Sequence, residues 1–440
     1  CLRTEDLDKP HLDNVFSAMG LKGSLSDLEA SFALMPKKYL IIESLEKLLE
    51  LGNTLAFTDL LQLLNRYQDW AVIATCRDYA YQPITFHFLQ PSGVNFKALI
   101  LGGFTDDQVQ GLCEKLEALQ KLADNLTLKP LLKTPFFADL AFRVLETGAE
   151  FAPEDGEKEF RTAVWRDVIA KEQVRTSGLP LKRKQAFINI AVKRAKQMVY
   201  GVPESEFDAD AVLKLEEDNL VRRDSKNSLI IPAHDVLEDW ALEQYIEDAY
   251  RKHSRNLLGF LDDIGHEPAI NRAFRLWLHQ KLRYGDNVND IVHSILSNQD
   301  IQRYWQDETI AAVLQGDNPD EFFELSKDHL FLDDGELLKR FCFILRIACQ
   351  TPDQRVIPRE KDSKEIIIDT LFLKPYGQGW EALICFLLEN KELLSQVLTP
   401  HVTALLSDWA SVLRLDEPLP TPAREAGLLA LHLLDDLKES

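Results

Sequence analysis

Two glutamates three positions apart stand at the end of an apolar run in "KKYLIIESLEKLLE", Lys37 to Glu50. A carboxylate at Glu43 can hold Mg²⁺, usually through water. One at Glu46 can orient an attacking water. A second apolar run, "WAVIATCRD", ends on Thr75, Cys76 and Arg77. An arginine there can reach a phosphate oxygen, or form a surface salt bridge with Asp78. Pro135, in "LLKTPFFADL", starts a helix; its ring can pack on an adenine face, or it is ordinary punctuation for a first helical position. His234, in "IIPAHDVLEDWAL", opens a helix, where it can cap, fill the core, or contact a diphosphate with the help of the helix dipole.

Such groups act together only if the elements that carry them end in one place. Tyr39 to Ile42 reads as a strand buried on both faces, and open α/β sheets bind ligands beyond the carboxyl ends of their strands. Glu43 would arrive at that edge with Glu46 pointing toward the same space, which is the layout of a Walker B motif with a catalytic acid, and Arg77 would end the second strand at the same edge. From about Phe32 to Phe104 the runs "YLIIES", "WAVIATCRD" and "NFKALILGGF" alternate with helical "FTDLLQLLNRYQ", the pattern of a parallel sheet. Residues 105–152 turn helical, beginning with Thr105 as N-cap and two acids after it. "PEDGEK", Pro153 to Lys158, is polar and reads as a linker.

Residues 153–253 carry helical segments around Arg161 to Glu172, Lys182 to Val199 and Asp208 to Asp218. Two short strands around "DSKNS" and a further helix follow. That order suggests a winged helix. Residues 254–440 hold amphipathic helical segments such as "EPAINRAFRLWLHQKL", without a clear repeat consensus, which fits an irregular α-helical array. The expected fold is a partial α/β core over residues 1–104, an all-α lid over 105–152, a winged helix over 153–253 and a helical repeat region beyond, mostly α overall.

The charge of −21 repels nucleic acid and anionic lipid on average. No run of about 18 apolar residues occurs, and no basic segment followed by an apolar one opens the chain, so it reads as neither membrane-spanning nor secreted. The six cysteines lack CxxC pairs or histidines at ligand spacing and read as reduced core thiols of a cytoplasmic protein. DNA reading is disfavoured by Asp208, Asp210, Glu216, Glu217 and Asp218 against Lys214, although Arg222, Arg223 and Lys226 on the wing could touch backbone. Asp353, Glu360 and Lys361 resemble a PD-(D/E)xK nuclease site only in passing, since Lys361 directly follows Glu360. His279, His293 and His329 stand singly on helical patterns and read as structural. Neither HExxH nor GxSxG is present.

Taken in order, the four motifs resemble those of the STAND class of signalling NTPases, the NACHT and NB-ARC type, and most of all bacterial members such as the Avs-type antiviral proteins. The resemblance covers roughly Phe32 to Lys252. It implies a P-loop NTPase core in which Glu43 binds Mg²⁺, Glu46 activates water and Arg77, after Thr75, is the sensor 1 arginine. It further implies that Pro135 lies near adenine and that His234 touches the β-phosphate of ADP. The family usually has Asp where this chain has Glu43, and no GxxxxGK[ST] occurs in the chain. The resemblance therefore places that loop upstream of Cys1 and makes the chain a fragment whose helical array can continue past Ser440. It implies a switch, ADP-closed and ATP-open, that forms a homo-oligomer when active and senses a protein ligand through its repeats, as in antiviral defence. The alternatives are a helical scaffold on a degenerate, inactive core and a winged-helix transcription regulator.

Overall fold

The computed structural model describes residues 2–21, 25–27, 30, 38–49, 51, 53–67, 70–77, 80–81, 84–94, 96–99, 101–173, 178–224, 228–253, 256–283, 289–352, 373–411, 413 and 418–439. Helix predominates among them, and strands are short. The chain divides into two units, one of Cys1–Leu101 with Gln350–Pro375, the other of Gly102–Cys349 with Tyr376–Ser440.

In the first unit β1 (Leu2–Arg3), α1 (Leu12–Ala18), β2 (Lys38–Glu43), α2 (Leu55–Arg66) and β3 (Trp70–Ala74) build a parallel sheet in the order β1-β2-β3. Leu40 and Ile42 share a core with Leu12, Phe16, Phe57 and Leu61 from the two helices. Their strand neighbours do not. Tyr39 is 67% exposed, Ile41 40% and Ile73 58%, so β2 is buried on one face only, contrary to the reading of its apolar run. The reason is strand periodicity: alternate side chains point to opposite faces, and the helices α1 and α2 pack on the face of Leu40 and Ile42. A second correction concerns "NFKALILGGF". Among its described residues none is in a strand, and Leu99 and Leu101 are exposed. An apolar run becomes a strand only when a neighbour takes its backbone hydrogen bonds, and the described residues of this run have no such ladder.

The second unit begins with α3 (Asp106–Lys115), closed at its N-terminus by a capping box in which Thr105 and Gln108 bond each other's backbone N–H. Then come α4 (Pro135–Glu146), α5 (Glu157–Ala163) with a π-helical turn over Val164–Ala170, and α6 (Leu179–Gln197). Pro153 to Lys158, expected as a linker, is tied down at its start: buried Asn125 donates to the carbonyls of Ala152 (3.0 Å) and Pro153 (3.3 Å). Next are β4 (Val202–Pro203), α7 (Ala209–Glu217), β5 (Val221–Asp224) and β6 (Leu229–Pro232), an antiparallel sheet ordered β4-β6-β5, followed by α8 (Asp235–Lys252). α6 packs against α7, α8 and the π-helical turn.

Beyond α8 the longer helices among the described residues are α9 (Leu257–Ile264), α10 (Pro268–Arg283), α11 (Asn289–Ser297), α12 (Arg303–Leu314), α13 (Pro319–Leu325), α14 (Glu336–Ala348), α15 (Gly379–Glu389), α16 (Thr399–Ala410) and α17 (Ala423–Glu439). They stack in two series: α8, α10, α12, α14 and α16 pack each on the next, as do α13, α15 and α17. A period that the apolar pattern hides is carried by ion pairs. Arg272 binds Asp239 (2.7 Å), Arg275 binds Glu308 (2.7 Å) and Arg340 binds Asp307 (2.6 Å), each pair separated by 33 residues. The strands β7 (Gln350–Pro352) and β8 (Leu373–Pro375) form a two-stranded antiparallel sheet in the first unit. Among the described residues no helix is long and apolar enough to cross a membrane.

One buried acid gives the second unit a pH-dependent stability. Glu243 on α8 is 7% exposed, and both of its oxygens accept from one guanidinium nitrogen, Arg161 Nη1, at 3.3 and 3.0 Å. Arg161 also stacks over Trp240 and binds Glu157 at 3.0 Å. Burial outweighs the attraction of Arg161, and with repulsion from Asp239 and Glu157 it pushes the Glu243 carboxyl up to about 7. The folded state thus holds a proton that the unfolded chain, titrating near 4.5, has released, and stability falls as pH rises between those values. Between about pH 5 and 7 this term removes up to about 3 kcal/mol. Glu243→Gln should flatten that part of a pH–Tm profile; an unchanged slope would mean that Glu243 is ionised throughout.

Candidate functional site

The parallel register decides what gathers at the carboxyl edge of the first unit. Pairing of Arg3 with Glu43 and of Ile42 with Ala74 ends all three strands together. Beyond β3, Thr75 stitches the two longer strands: its N–H donates to Ile42 O (2.9 Å), its carbonyl accepts from Leu45 N (2.8 Å) and its Oγ1 accepts from Ser44 N (3.0 Å). Thr75 is therefore a positioning residue for the turn after β2. That turn begins at Ser44 with φ +60°, a left-handed conformation disfavoured for residues with a Cβ. The reversal leads straight into a 3₁₀ turn over Leu45–Leu49, which carries Glu46.

Glu46 is 8% exposed and accepts from the backbone N–H of Arg77 (3.3 Å), while the Arg77 guanidinium lies 3.6 Å from its other oxygen. Glu43 is half-exposed, with Arg3 Nε 3.9 Å from Oε2, and its carbonyl accepts from the buried Thr4 hydroxyl (2.9 Å). Glu43, Glu46, Thr75 and Arg77 are thus brought to one edge. Asp78, the other partner considered for Arg77, lies outside the described residues. Arg3 and Thr4 were missed because a two-residue strand carries too few side chains to show a period.

In the second unit Pro135 occupies the first turn of α4, and Thr134 before it makes no side-chain cap. His234 is the N-cap of α8, its Nδ1 accepting from Val236 N–H (3.2 Å). A ring that accepts at Nδ1 carries its proton on Nε2, the nitrogen able to donate to a phosphate oxygen. These two helix starts meet: the rings of Phe136 and His234 stack with centroids 3.6 Å apart and planes 11° from parallel. Phe136 escaped notice because "PFF" reads as core, and stacking between residues 98 positions apart leaves no trace in spacing. Asp235 and Glu238 in the first turn of α8 weaken its attraction for an anion, although Arg194 pairs with Glu238.

Each unit by itself offers part of what a nucleotide needs. A half-exposed carboxylate at Glu43 suits a water-mediated Mg²⁺, and Nε2 of His234 suits a phosphate oxygen. The backbone N–H groups of Ser44 and Leu45 are taken by Thr75, so this edge offers no phosphate cradle from that turn. Among the described residues no group of three or more His, Cys, Asp or Glu could hold a metal ion. Cys113, Cys342, Cys349 and Cys385 are free thiols, and Cys1 lies outside the described residues. Burial pushes Cys342 and Cys349 up to about 12, which keeps both unreactive at neutral pH.

On the β5–β6 hairpin Arg222 donates to Ala233 O (2.8 Å), and Arg223 binds Glu216 (2.9 Å) and Glu204 (3.2 Å). Both are used within the fold, while Lys226, Asp353, Glu360 and Lys361 lie outside the described residues. Comparison with protein-family models and with curated proteins finds no match to this chain.

Proposed function

We propose that the chain is the switch portion of a STAND-type signalling ATPase, comprising part of a P-loop core, a helical lid, a winged helix and a sensor array. The observation that carries this reading is the convergence of Glu43, Glu46, Thr75 and Arg77 at the carboxyl edge of parallel strands. In it, Glu43 holds Mg²⁺ through water, Glu46 orients the attacking water and Arg77 answers the γ-phosphate of ATP. Arg77 must leave Glu46 to do so, and a phosphate, carrying more charge than a carboxylate, can draw it away. Pro135 serves adenine and His234 the β-phosphate of ADP. A protein ligand that binds the helical array more tightly in the open state would shift the switch from ADP to ATP and favour homo-oligomers, in a cytoplasmic role such as antiviral defence.

The reading requires a phosphate-cradling loop, and no GxxxxGK[ST] occurs in the sequence. Reading the gene in frame upstream of the Cys1 codon tests it first. A GxxxxGK[ST] after a strand pattern supports hydrolysis, whereas a start codon nearby without such a loop sinks it. In a protein that carries the loop, His234→Ala should speed release of bound ADP about 10- to 100-fold, the worth of one hydrogen bond to a charged group. Unchanged release of a fluorescent ADP analogue would remove His234 from the site.

A second reading, an interaction scaffold without turnover, is favoured by the closure of Arg77 on Glu46. A DNA-reading role loses its two described basic contacts, since Arg222 and Arg223 are engaged internally.

A further inference from the structure

Among the described residues four buried side-chain atoms have no hydrogen-bond partner, and two of them, Glu267 Oε2 and Asn271 Oδ1, stand one helical turn apart at the start of α10. The Asn271 N–H donates to the Glu267 carbonyl (3.0 Å), so the two side chains leave the same face. Both atoms are acceptors. A buried acceptor without a donor is costly, and two on one face are costlier unless a positive group lies between them.

The backbone makes room for this pair. Gly265 ends α9 at φ +85°, and a Cβ there would lie 2.6 Å from Glu267 Oε2, so glycine lets the carboxylate fold back against the turn. There it meets the C-terminal end of α9, the negative end of the helix dipole. Asp262 adds a second negative group. Burial first, and then the charges of Asp262 and Glu267, raise the phenol of Tyr304 on α12, whose ring packs on His266 with centroids 5.6 Å apart. The arginines of this stretch do not offset those charges, because Arg272 is engaged by Asp239 and Arg275 by Glu308.

We propose that the turn between α9 and α10 is a Ca²⁺ site, with Glu267 Oε2 and Asn271 Oδ1 as ligands and Asp262 as a further negative group. Ca²⁺ takes about six to eight oxygens in flexible geometry, amide oxygens, backbone carbonyls and waters among them, whereas Mg²⁺ demands a regular octahedron. So few carboxylates place the affinity at the weak end of calcium sites, about 10⁻⁴–10⁻³ M. The ion ties α9 to α10, both of which pack on α8, and so stiffens the first turn of the helical array. It requires no nucleotide and is independent of the switch.

Calorimetric titration of CaCl₂ into the 440-residue chain, stripped with EDTA and desalted, tests the site at fixed ionic strength. Saturable binding in that range is expected, with a Tm that rises as Ca²⁺ is added. Glu267→Gln should weaken binding at least about 10-fold, and Asn271→Asp, which adds a carboxylate, should tighten it about 10-fold. In EDTA the Asn271→Asp chain sets two carboxylates face to face, so its Tm should fall below the parent's and recover with Ca²⁺. That recovery separates a ligand from a merely structural asparagine. No response up to about 10 mM Ca²⁺, well above the expected affinity, would overturn the proposal and leave an Asn271 amide turned to donate to Glu267 as the closure of the pair. An equal Tm rise with K⁺, or Ca²⁺ binding indifferent to Glu267→Gln, would overturn it as well.

Discussion

On the proposed ATPase reading, Glu46→Gln in a protein that also carries a phosphate-cradling loop is expected to slow ATP hydrolysis about 100- to 1,000-fold while ATP affinity changes less than about threefold. The size follows from the role: an amide keeps the shape of the carboxylate but cannot take a proton from water. The fold should tolerate the change. The amide would keep an oxygen for the Arg77 N–H, which Glu46 now accepts at 3.3 Å. What is lost is attraction to a guanidinium 3.6 Å away that is half in solvent, a contact worth less than about 1 kcal/mol. Tm and hydrolysis are therefore expected to separate. Glu43→Gln should behave differently, raising the Mg²⁺ concentration needed for turnover. If Glu46→Gln abolished ATP binding instead, the roles of the two acids would be exchanged; if hydrolysis were unaffected, Glu46 would not be the acid that orients water, and a parent without any hydrolysis would leave the scaffold reading.

Arg183→Met has the largest expected effect on stability. Arg183 on α6 is 2% exposed and its fork is turned wholly inward: Nε donates to Ile169 O (2.8 Å), Nη2 to Val168 O (3.1 Å) and to Asp218 Oδ2 (2.7 Å). It closes the end of the π-helical turn, whose last carbonyls have no helical partner beyond them. Asp218 also accepts from Lys171 (2.7 Å), and although burial alone would raise its carboxyl, Lys171 and Arg183 together hold it below the usual range. Methionine fills the stem's volume but leaves two carbonyls and part of a carboxylate without donors. Breaking one side of a buried ion pair of this kind costs about 3–5 kcal/mol. Chemical denaturation followed by helix signal should show that loss. A change below about 1 kcal/mol would mean that water replaces the guanidinium. Asp218, with its lowered pKa, supports the fold above the unfolded carboxylate range and ceases to do so as pH falls through its folded value, the reverse of Glu243.

Short-range physics made part of this molecule legible. The alternation of apolar runs with helical periods marked β2 and β3, and a strand that ends on a polar residue delivers it to the sheet edge, so Glu43 and Arg77 could be named from composition and order alone. His234 was legible as a helix opener because a hairpin pattern ends just before it. Other features depend on what comes from afar. Whether β2 is covered on one face or two depends on how many helices pack on it, which its own residues do not record. Arg183 stands in a basic stretch, "LKRKQ", that reads as solvated surface, and becomes a buried keystone only because Asp218 and the π-helical turn close over it. The 33-residue period is hidden for a related reason. Its members are arginines and acids of either order, so the spacing persists while no residue type repeats.

The left-handed turn at Ser44 sets a limit on how this sequence can drift over generations. The strand before it can exchange Leu, Ile and Val, and the 3₁₀ turn after it can vary its apolar residues, because those exchanges keep volume and period. Position 44, at φ +60°, has no such latitude. Glycine occupies that region without cost, asparagine and aspartate at modest cost, and β-branched residues are excluded by their own side chains. A single joint between the two acids thus governs the ancestry open to both.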